Sequence, residues 1–183
     1  RETVSFAAAY GDERVTAYVF LPKVSAPPYQ PVVHFPGGDA QLLRSSRDLR
    51  LLNVDYVIRS GRALVFPIYQ GTYERTVVVQ GLNGYRDVTI ARVKDVARTL
   101  EYIDGRSDLD ADRVGFHGQS LGAYNGVLST AQRSRFKASV LIGAGLTDFG
   151  SPPEISLVNF APRVTVPTLL ISGRDDFSYP AES

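Results

Sequence analysis

Cysteine is absent from the 183 residues, which excludes disulfides and thiolate metal sites and leaves the redox compartment open. Excess charge of either sign is absent too. Twenty lysines and arginines face nineteen aspartates and glutamates, a formal net charge of +1. With no lysine/arginine cluster, that balance argues against a nucleic-acid module. No apolar run approaches the roughly 18 residues of a membrane span, and the first residues do not read as a signal peptide. The chain opens on Arg1 rather than Met, as expected where preceding residues have been removed. Internal repeats and low-complexity stretches are missing. Histidine is scarce, only His34 and His117. The length is that of one domain, so residues 1–183 are expected to share a single core.

What is present reads as short apolar strands alternating with helices. Residues 3–9 and 14–21 are β-rich and flank turn chemistry at Tyr10-Gly11-Asp12-Glu13, which predicts an antiparallel hairpin. A proline-rich loop over 22–31 leads to a buried strand at 32–35, then to the glycine-opened loop Pro36-Gly37-Gly38-Asp39-Ala40. Ser45 or Ser46 can cap a helix to about residue 60, with Leu49, Leu52 and Tyr56 at helical spacing. Residues 63–68 form the next strand, and 69–85 are irregular. Residues 86–103 carry an apolar stripe of Val88, Val93, Val96, Leu100 and Ile103, which predicts an amphipathic helix. Strands follow at 138–142 and 168–172, separated by a second irregular segment over 143–162. This pattern predicts an α/β fold: a mostly parallel sheet with helices on both faces and an antiparallel N-terminal hairpin.

The most informative stretch is Val114-Gly115-Phe116-His117-Gly118-Gln119-Ser120-Leu121-Gly122-Ala123. Its Gly118-x-Ser120-x-Gly122 spacing follows an apolar strand and precedes a helix-compatible run, the context in which a sharp turn lifts a serine hydroxyl above a sheet edge. Glycines on either side let backbone pass close by. An ordinary strand-to-helix turn with a capping serine is the alternative reading. A nucleophilic serine needs a base, an acid to orient it and two oxyanion donors. The donors expected are the N–H of Leu121 and a backbone N–H of the Gly37-Gly38 loop, with Gly38 preferred. Asp175 and Asp176, after the last strand, are candidates for the acid, or else cap a turn. Neither His34 nor His117 stands after the acid, and each is expected to be structural.

These segments resemble the α/β-hydrolase superfamily, and within it the dienelactone-hydrolase and acylaminoacyl-peptidase-like serine esterases. The resemblance runs from about Val15 to Pro180. It is carried by residues 112–123 and by Val166-Pro167-Thr168-Leu169-Leu170-Ile171-Ser172-Gly173-Arg174-Asp175-Asp176-Phe177-Ser178-Tyr179-Pro180. It implies an acid three residues after the glycine closing the last strand, which selects Asp176, with Pro180 in register. Aligning Pro36-Gly37 with the family's His-Gly puts the second donor at Gly38. The resemblance also implies a last helix and strand, and a base histidine, beyond Ser183. On that expectation the domain is C-terminally incomplete and its partner is the remaining segment or a larger parent chain. Gly71-Thr72-Tyr73-Glu74-Arg75 and Pro152-Pro153-Glu154-Ile155-Ser156 resemble a bacterial subgroup. Gln119 and Tyr73 are the candidate pocket residues, and a Glu74–Arg75 polar network is the alternative use of that loop.

The activity implied is serine-dependent hydrolysis of a small-molecule carboxylic ester, with no metal or organic cofactor. Amide or other acyl substrates are a rival, and so is a non-catalytic module of a larger protein. A Rossmann dinucleotide reader is disfavoured, because no strand-to-helix turn has the G-x-G-x-x-G form.

Overall fold

The computed structural model describes residues 1–49, 51, 53–132, 135–143 and 150–176. Among these, seven strands form one sheet: β1 (Glu2–Ala7), β2 (Arg14–Phe20), β3 (Pro31–Phe35), β4 (Ala63–Pro67), β5 (Val114–Gln119), β6 (Phe136–Ile142) and β7 (Thr168–Ile171). Their spatial order is β1-β2-β4-β3-β5-β6-β7. The pairs β1/β2 and β2/β4 are antiparallel, and β4, β3, β5, β6 and β7 run parallel. The N-terminal hairpin and the mostly parallel sheet are thus as expected.

The unbroken apolar run of β4 follows from cover on both faces. Ala63 and Val65 join the main core, whereas Leu64 packs with Val54 and Val57 on the opposite face. The main core lies under α2 (Gly81–Asp104) and α3 (Leu121–Gln132). Val96 and Leu100 of α2 meet Val33, Phe35 and Phe116 of the sheet there. Phe35 stacks on Tyr69, with ring centroids 3.7 Å apart. Gly126 sets how closely α3 approaches: a Cβ there would meet Phe116 and Leu141 at 2.6 Å. The short α1 (Asp55–Arg59) covers part of the other face, and α4 (Leu157–Phe160) contacts α3. The edge strand β7 is exposed along its length. No helix among the described residues is long and apolar enough to cross a membrane.

Three expectations need correction. The helix predicted from residue 45 to 60 is instead a 3-10 turn, Ser46–Asp48, and the five-residue α1. The reason is tertiary. Ser46 is committed to Glu74 and Tyr18, and Leu49 and Leu51 turn into a small cluster with Phe66 and Ile68. The long helix starts at Gly81 rather than 86, entered through a left-handed glycine (φ 61°). β6 starts at Phe136 rather than 138. Leu52, residues 144–149 of the second irregular segment, and Pro180 lie outside the described residues.

Candidate active site

The site begins with topology. From β3 the chain crosses one way to β4, and it later returns to place β5 on the other side of β3. Between β3 and β5 the direction of winding reverses, and a crevice opens there at the carboxyl ends of the strands. The Gly37-Gly38 loop leaves β3 on one side of this point, and Ser120 leaves β5 on the other.

Ser120 occupies the single-residue turn between β5 and α3 with φ 50°. A left-handed backbone costs a residue with a Cβ about 1–2 kcal/mol. Packing on both sides holds it there. A Cβ at Gly118 would collide with the backbone of Gly122 and Ala123, and one at Gly122 would collide with the carbonyl of Phe35. The Ser120 N–H donates to the Ile142 carbonyl (2.7 Å), and its own carbonyl accepts from the N–H of Ala123 (2.8 Å) and Tyr124 (3.0 Å). The backbone is therefore fixed while the side chain stands exposed at the sheet's rim.

Leu121 opens α3, and Gly38 opens a 3-10 turn over Gly38–Gln41. First-turn N–H groups have no partner inside their own helix. The two openings are adjacent, because a Cβ built on Gly37 lies 3.9 Å from Ser120 Cβ. Asp176 lies beyond β7 and donates its N–H to the Gly173 carbonyl (3.3 Å). The chain level is shared: Gly143 N–H bonds the Ile171 carbonyl (2.7 Å), as Ser120 N–H bonds Ile142. Asp176 therefore belongs to the same sheet end as Ser120. The strands that carry them, β5 and β7, lie two spacings of about 4.8 Å apart.

A cavity of about 550 Å³ reaches the elbow at Gln119, the residue before Ser120, and is walled also by His34, Pro36, Gly37, Phe66 and Tyr73; Ser120 itself is not part of its wall. A second hollow, of about 460 Å³, lies against α1 and the amino-terminal halves of β3 and β5, away from the elbow. Tyr73 is buried, with φ 49°. It and Ser120 are the two non-glycine residues with positive φ among the described residues. Burial, and then the carboxylates of Asp39 and Glu74, push the Tyr73 phenol up to about 12.

The neighbours of Tyr73 hold it in place, in two separate networks rather than one Glu74–Arg75 pair. Glu74 accepts from the Ser46 N–H (2.8 Å) and hydroxyl (2.6 Å). Arg75 donates to Asp95 (2.7 Å), the Ile68 carbonyl (2.8 Å) and Tyr10 (2.8 Å), and reaches Glu13 at 3.1 Å. Asp95 is fully buried on α2. Burial pushes its carboxyl up, and Arg75 and the Tyr10 hydroxyl pull it back down. Nothing in the sequence pattern flagged Asp95, because a charged residue in a helix ordinarily reads as solvent-facing.

The two histidines find each other. His34 Nδ1 lies 2.8 Å from His117 Nδ1, on paired positions of β3 and β5. Only one proton fits between the two nitrogens, so one ring donates and the other accepts. Burial, followed by the neighbouring His117, pulls His34 down to about 3, and burial pulls His117 down as well. No group of three or more metal-ligating side chains is gathered among the described residues.

No family model matches the sequence, and no curated protein does. Solved structures do. A cold-adapted esterase from an Arctic intertidal metagenomic library superposes with a TM-score of 0.74 at 22% identity, over 99% of this chain and 75% of that one. The acylaminoacyl peptidase of Pyrococcus horikoshii gives 0.73 at 16% identity, over 99% of this chain and 33% of that one. A Klebsiella pneumoniae protein assigned as a dienelactone hydrolase gives 0.69 at 20% identity, over 99% and 76%.

Proposed function

The chain has the α/β-hydrolase fold of these neighbours, and we propose that it works as a serine hydrolase cleaving carboxylic esters through an acyl-enzyme. The observation that carries this reading is the left-handed Ser120 between β5 and α3, with its hydroxyl exposed above a fixed backbone.

In this reading the Ser120 oxygen attacks the ester carbonyl carbon while a general base takes its proton. The N–H groups of Leu121 and Gly38 hold the oxyanion of the tetrahedral intermediate. Collapse expels the alcohol, which takes the proton from the base. Water then repeats the sequence on the acyl-enzyme and releases the carboxylic acid. Asp176 orients the base. Gln119 and Tyr73 shape the pocket for a small-molecule ester. Neither of the two histidines of this sequence is assigned as that base. His34 and His117 are occupied with one another inside the sheet, and burial keeps both neutral. No metal or organic cofactor takes part.

The test is turnover of a short-chain p-nitrophenyl ester by the full-length protein and by its Ser120→Ala variant. A drop of roughly a thousandfold or more is expected, the scale seen when a catalytic serine is removed. Equal turnover by the two proteins would remove this reading. Peptide substrates are a second reading, favoured by the acylaminoacyl-peptidase likeness. Amide hydrolysis exceeding ester hydrolysis would select it.

A further inference from the structure

Arg92 is the largest fully buried side chain among the described residues, and the reaction scheme above gives it no role. It sits in the middle of α2 on the core side. Among the described residues no carboxylate lies at hydrogen-bonding distance from its guanidinium. Nε donates to the Gln70 carbonyl (2.8 Å), Nη2 donates to Gln41 Oε1 (3.0 Å), and Nη1 is buried with no partner. An unpaired N–H and a desolvated charge are both unfavourable, and an apolar residue of similar size would commonly serve the core as well or better. Core packing therefore does not account for an arginine here.

Its partners do. Gln41 closes the 3-10 turn that begins at Gly38, and its amide Nε2 donates back to the Gly38 carbonyl (3.4 Å). Gln70 starts the segment that carries Tyr73, and α2 grips it twice: Arg92 takes its carbonyl, and Asp95 accepts its N–H (2.9 Å). Room for the guanidinium is reserved as well. Residue 71 is a left-handed glycine (φ 76°), and a Cβ there would lie 2.9 Å from Nη2.

We propose that Arg92, acting through Gln41, is a positioning residue for the Gly37–Gly38 loop. It ties the loop that offers the Gly38 N–H to the segment that presents Tyr73, so that both walls of the cavity are referenced to α2. The consequence for catalysis rests on the serine-hydrolase reading. The structural coupling itself does not.

Two measurements on the full-length protein separate these. Gln41 is exposed, so Gln41→Ala should fold even if Arg92→Met does not. The Ala40 N–H bonds the Gly37 carbonyl and the Leu42 N–H bonds the Asp39 carbonyl, so their hydrogen exchange reports opening of the turn. Gln41→Ala should speed exchange at both amides about tenfold, the scale of one lost hydrogen bond to a charged partner. Gln41→Glu keeps an acceptor for Arg92 but cannot donate to Gly38. It should speed the same amides while keeping the thermal midpoint. Ester turnover in Gln41→Ala should then lose kcat by about tenfold with KM nearly constant, because the oxyanion donor acts in the transition state. Unchanged exchange at Ala40 and Leu42 overturns the proposal. Faster exchange with unchanged serine-dependent kcat overturns the positioning role. If Ser120→Ala shows that turnover never depended on the serine, the hydrolase reading fails and the exchange result alone judges the coupling.

Discussion

The His34–His117 pair makes the fold acid-sensitive in a calculable way. Both rings are buried and neutral in the folded protein, and both folded values are depressed, His34 to about 3. In the unfolded chain each titrates near 6.5. A depressed folded value means the unfolded state binds protons first as pH falls. The stabilisation is therefore complete above about pH 6.5 and is lost progressively between there and the folded value. At about pH 5, His34 alone should cost about 2 kcal/mol relative to neutral pH, and His117 acts in the same direction. The assay is the urea midpoint measured from about pH 7 to pH 5, above the range where ordinary carboxylates titrate. Because Tyr56 and Phe66 are the aromatic neighbours of the pair, the double variant His34→Leu, His117→Leu deletes the titration without stranding a charge. It should start from a different stability and show a much flatter pH dependence. Equal slopes for the two proteins would refute the reasoning and reopen His34 and His117 as working bases.

Other outcomes follow from the same geometry. Gly122→Ala should destabilise by about 3 kcal/mol, because the new Cβ meets backbone of Phe35 and Pro36 that no rotamer change can move. A urea midpoint near the parent's would show that α3 can shift away from β3. Ser120→Gly should raise stability by about 1 kcal/mol as the left-handed strain is relieved, and an unchanged midpoint would mean the turn is not strained. Arg75→Met strands the Asp95 carboxylate in the core and should cost about 3 kcal/mol. A smaller loss, with Tyr10 and the Gln70 N–H sufficing for Asp95, would contradict that expectation.

The parts that could be read from sequence are those where chemistry and local spacing coincide. Gly118 and Gly122 announce the elbow because a Cβ fits at neither. The sheet announces itself through apolar runs such as 63–67. Helix 45–60 failed for the converse reason. Leu49 and Tyr56 have helical spacing, yet Ser46 is claimed by Glu74, far along the chain, and Leu51 by the cluster around Phe66. Arg92 and Asp95 were invisible because periodicity counts a charged residue as surface, whereas here their partners come from residues 10, 41, 70 and 75. The mutual bond of the two histidines likewise needs the register of β3 against β5, which only the folded sheet supplies.

An activated Ser120 should be open to covalent capture. The full-length protein is treated with a fluorophosphonate and mapped by peptide mass spectrometry. One adduct is expected, on the peptide containing Ser120, absent from Ser120→Ala and formed in step with loss of ester turnover. Loss of turnover with an adduct elsewhere, or turnover that survives full modification of Ser120, would contradict it.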